Sequence, residues 1–183
     1  ALGGELADAV VDADGVLWVV DVGGGDVVAI DGTAERDRRN VGPGGGAIEL
    51  ALVDASVVAV DTGAGRVHVI DGPGKGDSFS VDLDPAGTIA LPDSVDGAEL
   101  PVIAGSDVLV VDIGTGGTRR FVLPPHGELS APEVAGGNVY VIDRTNGALL
   151  IVELGSGRVT TQTLTGHTGR LDLIVNGDRV YVN

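Results

Sequence analysis

The chain has 183 residues, and 27 Asp and Glu against 11 Lys and Arg give a net charge of −16, the wrong sign for a general nucleic-acid binder or for attachment to an anionic membrane. Hydrophobic residues make up 43%, which argues against disorder, and no apolar run approaches the ~20 residues that a membrane helix needs. There is no Cys, so disulfides, thiolate metal sites and a Cys nucleophile are excluded, and stability should be insensitive to reductant.

In chain order, Ala1 to Glu5 show no basic stretch followed by an apolar core, so no signal peptide is read there. The absence of Met marks the chain as a processed product or a piece of a longer one. Residues 10–13 form a short apolar segment, Asp14-Gly15-Val16 a turn, and Leu17-Trp18-Val19-Val20 a strand before Asp21. A glycine-rich turn through Gly25 leads to a second strand at 27–30 and an outer strand at 36–41. Residues 33–39 carry the one weak helix signal and are read as an edge strand or loop. The pattern restarts with a segment at 50–53, the turn Asp54-Ala55-Ser56, Val57-Val58-Ala59-Val60 before Asp61, and strands at 67–70 and 78–83. An insertion follows, from about Asp84 to Ala98. The third copy has 101–104, Val108-Leu109-Val110-Val111 before Asp112, and a strand at 118–121. After it, Pro124-Pro125-His126-Gly127 leaves no room for an outer strand. The fourth has 132–135, Val139-Tyr140-Val141-Ile142 before Asp143, and strands at 149–152 and 159–164. The fifth has 172–175 and Arg179-Val180-Tyr181-Val182 before Asn183, where the chain ends after a second strand.

Nineteen of the twenty residues in these tetrads are apolar, Arg179 being the exception. Four successive apolar, mostly β-branched residues describe a strand covered on both faces. Gly25, Gly65, Gly116 and Gly147 each stand four residues after the tetrad's Asp, the chemistry of a tight hairpin. The Asp positions are 40, 51, 31 and 40 residues apart. Units of this size with three or four strands match the blades of a β-propeller, where a small sheet buries both faces against its neighbours. The expected fold is all-β: a single propeller domain or propeller fragment over 1–183, with blades at about 5–44, 45–84, 85–127 and 128–165 and a partial fifth at 166–183. Four and a half blades point to part of a larger ring, completed by the missing remainder of the chain or by another chain, rather than to a freestanding five-bladed ring.

No set of residues stands out as a reactive constellation. Asp21, Asp61, Asp112 and Asp143 are read as hairpin caps, since equivalent positions in successive blades do not converge on one ion. Asp12-Ala13-Asp14-Gly15 begins like a calcium loop, but the strand from Val16 onward replaces the remaining ligands. His68 lies mid-strand, His126 in a loop after two prolines, and His167 in a Gly-His pair like the entry of a WD-repeat blade, with no Trp-Asp after it. There is no G-x-S-x-G for a hydrolase. The glycine-rich 22–25 and 42–46 open no helix and carry no Gly-Lys-Ser, so they are strand connections rather than phosphate loops. Arg36, Arg38 and Arg39, and the pair Arg119-Arg120, are expected in local ion pairs and are the best candidates for contact with an acidic partner. Trp18 is expected in the core, and aromatics at 3% give little support to a sugar-binding surface.

Units such as Val139-Tyr140-Val141-Ile142-Asp143-Arg144-Thr145-Asn146-Gly147-Ala148-Leu149 resemble the bacterial propellers of the YncE, streptogramin-lyase and quinoprotein-like group. In its mixture of residues the chain is most similar to the propeller-like ectodomain of actinobacterial cell-surface proteins that also carry fibronectin type III modules. The resemblance implies an extracellular or cell-surface location and a binding or scaffolding role toward a protein or cell-envelope partner. It transfers no catalytic, metal or binding residue, and the quinoprotein tryptophan motifs are missing, so no cofactor is expected. The expectation is a non-enzyme that neither binds nucleic acid nor inserts this segment into a membrane. The alternative is a propeller enzyme of lyase or hydrolase type with a site in the central channel, which needs His68, His126 or His167 to converge there with an acid or Arg.

Overall fold

The computed structural model describes residues 5–44, 47–83, 87–164, 171–176 and 179–183. Among them every regular element is a strand, nineteen in all, and there is no helix. No described helix is therefore long and apolar enough to cross a membrane. The chain divides into two compact units: one holds the first two sheets with 93–100 and 111–117, the other holds 87–92, 101–110 and the chain from 118 onward.

In the first unit, β1 (Leu6–Val11), β2 (Leu17–Asp21), β3 (Asp26–Asp31) and β4 (Ala34–Asn40) form an antiparallel sheet in that order. The next sheet is built on β5 (Ile48–Val53), β6 (Ser56–Asp61), β7 (Arg66–Asp71) and β8 (Ser78–Ser80). Side chains alternate across a strand, so an unbroken apolar run supplies both faces at once. All six residues of β6 are buried, as are four of the five in β2. Trp18, Val20, Val27 and Ala29 from the first sheet pack with Ile48, Leu50, Val57, Ala59 and Ile70 from the second in one core. Each such Val, Leu or Ile contributes roughly 1.5–3 kcal/mol by leaving water. Of the stretch 33–39, all but the turn residue Thr33 is strand, as expected of a charged edge: Ala-Glu-Arg-Asp-Arg-Arg-Asn in β4 is largely exposed.

The insertion is not a plain loop. It yields β9 (Ile89–Ala90) and β10 (Ser94–Val95), two short strands that the sequence pattern did not suggest. β10 pairs in parallel with β5, where Leu52 N–H donates to Asp93 O (2.9 Å) and Asp54 N–H to Val95 O (2.8 Å). β9 pairs antiparallel with β11 (Glu99–Ala104), reinforced by Gly105 N–H on Thr88 O at 2.8 Å. These segments satisfy the first-strand edges of two sheets, edges that otherwise turn unpaired backbone outward. Asp84, at the expected start of the insertion, lies outside the described residues.

The third sheet runs β13 (Thr118–Val122), β12 (Asp107–Asp112), β11, β9, and no described strand lies beyond β13. The missing outer strand is the one that the Pro124-Pro125 connection ruled out. The fourth sheet is β14 (Glu133–Ala135), β15 (Asn138–Asp143), β16 (Ala148–Glu153) and β17 (Val159–Thr163). Val139, Val141, Leu150 and Val152 face one core with Ile103, Val108, Val110 and Phe121. The alternate residues Ile142 and Leu149, with Tyr140 and Ile151 against them, face another with Leu171. β18 (Leu173–Asn176) and β19 (Arg179–Val182) form a two-stranded sheet. Here the reading of doubly covered tetrads fails: Tyr181 is 47% exposed and none of β19 is buried. With only two strands in that sheet, nothing in the described residues buries its second face.

Candidate functional site

The repeated Asp positions hold turns. Asp61 Oδ1 accepts from Ala64 N–H at 2.9 Å, and Asp112 Oδ1 from Gly114 and Thr115 N–H at 2.9 and 3.0 Å. Asp143 does most: its Oδ1 takes the N–H groups of Gly127, Thr145 and Asn146, and its Oδ2 the Asn146 side chain at 2.6 Å. Burial works to raise this carboxyl's pKa, but the donors from Asn146, Gly127 and Thr145 outweigh it and hold the group below the usual range. Asp21 departs from the series, since Arg38 bonds its carboxylate at 3.2 Å. The glycines that follow have φ of +67, +62, +72 and +60 at Gly25, Gly65, Gly116 and Gly147, the left-handed conformation that the spacing called for.

Asp12 spends both oxygens locally. Oδ1 accepts from Asp14 and Val16 N–H at 3.0 and 2.9 Å, and Oδ2 from Trp18 Nε1 at 2.8 Å. The aspartate therefore anchors the β1–β2 turn to the one Trp, which is 2% exposed. The two glycine-rich connections pack on each other. A Cβ at Gly25 would overlap the Gly42 carbonyl oxygen, and one at Gly44 would overlap that of Gly23. Gly45 and Gly46 lie outside the described residues.

Arg38, Arg39 and Arg120 sit in ion pairs, as expected. Arg38 reaches Asp26 at 2.8 Å, Glu35 at 2.9 Å and Asp21, which together raise its pKa further. Arg39 pairs with Asp37 (3.3 Å) and Arg120 with Asp107 (2.7 Å). Arg119 donates to Leu154 O at 2.7 Å and lies 5.7 Å over the Phe121 ring. Arg36 lines a shallow cleft with Trp18, Asp37, Asp71 and Lys75.

His68, on β7, is half-buried and its Nε2 is enclosed without a hydrogen-bond partner. Burial, with the Arg66 charge added, lowers its pKa against the opposing pull of Asp61, so the ring is neutral near pH 7. It lines a cavity of about 140 Å³ with Arg39, Asn40 and Asp77. His126, in the β13–β14 connection, shares its Nδ1 with Gly127 O (2.9 Å) while its Nε2 is also enclosed and unpartnered. His167 lies outside the described residues. Among the described residues no three His, Asp or Glu side chains form a group that could hold a metal ion. The sequence reading passed over Asp8 and Glu49. Asp8, at a bulge in β1 with φ +30, accepts the Leu50 N–H of β5, and Glu49 lies beside it half-buried, its pKa raised by burial and by Asp8. The available signal was an acid inside the apolar run Ile48-Glu49-Leu50-Ala51-Leu52-Val53.

Solved structures resemble this arrangement of sheets. A catalytically inactive virginiamycin B lyase from Staphylococcus aureus, crystallised with quinupristin, superposes with a TM-score of 0.74 at 11% identity over 97% of this chain and 62% of its own. The Swd1 β-propeller domain from Myceliophteria thermophila gives 0.69 at 13% identity, over 99% and 62%. This chain folds as a partial β-propeller. The Pan2 WD40 domain of Neurospora crassa gives 0.59 at 14% identity, over 87% and 50%. At such identities the likeness concerns the fold, and the chain spans about half to three fifths of the length of these propellers. No family model and no curated protein matches the sequence.

Proposed function

We propose that the chain is a non-catalytic propeller module at the cell surface, which offers loops and strand edges to a protein or cell-wall partner. In this reading it is part of a longer, actinobacterial protein of the kind associated with fibronectin type III modules. One observation carries it: the repeated carboxylates and the strand arginines are already committed to structure. Asp12, Asp61, Asp112 and Asp143 close turns, and Arg38 and Arg120 tie strands and turns together. A carboxylate that accepts three backbone amides is poorly placed to move protons as well. Co-sedimentation of the full chain with purified cell-wall sacculi, and cross-linking to intact envelopes, tests the proposal. Saturable retention on either is expected. Turnover of a substrate that is lost in His68→Ala or His126→Ala, without retention on envelope material, would overturn it in favour of the propeller enzyme.

A further inference from the structure

The four larger sheets end, on the side away from the chain's first strand in each, in β4, β8, β13 and β17. Three of these outer edges carry features that discourage further pairing. β4 is charged and shifts register against β3 between Ala29 and Ile30, β8 has three residues, and β13 holds two adjacent arginines. β17 has none of these features. Its residues, Val159-Thr160-Thr161-Gln162-Thr163, include no charge and no Pro, and all five pair with β16 without a shift.

The ends of that ladder show which way the backbone turns. Glu153 N–H donates to Arg158 O at 2.9 Å, and Leu164 N–H to Gly147 O at 2.8 Å. In an antiparallel ladder alternate residues bond to the partner strand. The even-numbered positions from 158 to 164 therefore face β16, and Val159, Thr161 and Thr163 turn their N–H and C=O outward. Among the described residues no strand meets them. The side chains of Thr161, Gln162 and Thr163 are exposed as well.

Symmetry and charge select the occupant. Antiparallel pairing of this edge with its own copy, about a two-fold axis at Thr161, sets Thr161 against itself and Val159 against Thr163. Each outward N–H and C=O of one copy then meets its complement on the other. Threonines opposite each other across strands attract. No register of β17 on itself opposes like charges, because the strand carries none, whereas two chains at −16 repel elsewhere. Arg158, just before the strand and held by Glu153, comes opposite Leu164 of the other copy. A charged or apolar partner finds no matching side chain at the exposed Thr161, Gln162 and Thr163, and closed two-fold pairing is the commonest mode of association. We propose that the chain associates with a second copy through the outer edge of β17, which joins two fourth sheets into one. The proposal goes beyond the binding-module reading and does not depend on it.

Sedimentation equilibrium of the full chain is the first test. A reversible monomer–dimer equilibrium is expected, and NaCl should shift it toward dimer by screening the repulsion between two acidic copies. Amide exchange at Val159, Thr161 and Thr163 should slow as protein concentration rises, with Thr160 and Gln162 unchanged. Thr161→Lys and Thr161→Glu should each weaken self-association at least about tenfold, since like charges then meet at the axis, and an equimolar mixture of the two variants should restore it. A native chain that stays monomeric at high salt and high concentration, a Thr161→Lys chain that dimerises as the native one does, a mixture no more associated than either variant, or slowed exchange at β4, β8 or β13 instead would overturn the assignment. Retention on envelope material would still stand after any of these results.

Discussion

Carboxylates in this chain fall into two kinds, set by what surrounds each one. Asp12 and Asp143 collect donors, and the ionised form is favoured although both lie at structured turns. Glu49 has neither an amide nor an arginine to offset burial, and Asp8 beside it adds a like charge. Its folded pKa lies above its unfolded value, so its contribution is intact below the unfolded pKa near 4.3 and is lost as pH rises through the folded pKa. Glu49→Gln removes that loss. The variant should match the native chain near pH 3–4 and exceed it at pH 7 by about 0.2–1 kcal/mol, the scale of one partly exposed charge interaction. Urea denaturation at both pH values measures this, and a less stable variant at pH 7 would mean that the carboxylate has a stabilising partner. The sequence made the capping role of Asp61, Asp112 and Asp143 legible because Asp and Gly recur at a fixed distance. It hid Glu49, whose cost depends on Asp8, 41 positions earlier and brought alongside only when β1 and β5 pack.

At the level of elements, the strands were legible, and the two short segments that cover the edges of β5 and β11 were not. Burial on both faces follows from local composition, so β2, β6, β12 and β15 fall where the apolar tetrads are. β9 and β10 are two residues each and owe their existence to the edges of β11 and β5, which no local pattern encodes. The glycine-rich connections sit between these cases: their glycines are visible, but the reason for them is the contact of one loop with the other. Gly32 offers a control, because its φ is +60 yet a Cβ there meets nothing within 4 Å. Gly32→Ala should cost about 1–2 kcal/mol for the left-handed backbone alone. Gly25→Ala carries that cost and a further ~1–3 kcal/mol for overlap with the Gly42 carbonyl. Equal losses in chemical denaturation would show that the two loops do not press together in solution.

Over the whole molecule, 27 acids face 11 bases, and two electrostatic effects of opposite sign respond to salt. Local pairs such as Arg38 with Asp26 and Arg120 with Asp107 are weakened by it. Mutual repulsion among the acids left in excess is weakened too, and this stabilises the folded chain. The pairs are partly exposed, and screening can remove from each no more than the roughly 1 kcal/mol that it contributes. Repulsion is summed over longer separations, beyond the Debye length of about 8 Å at physiological ionic strength, where screening removes most of it. The second effect should therefore dominate. Raising NaCl from 10 mM to 0.5 M should raise the thermal midpoint, with roughly 2–4 °C gained for each kcal/mol of repulsion removed in a chain of this size. Reductant should leave the midpoint unchanged, since the sequence has no Cys. A midpoint that falls with salt would place the dominant electrostatic term in the short-range pairs, and the acidic surface would then be no burden to the fold.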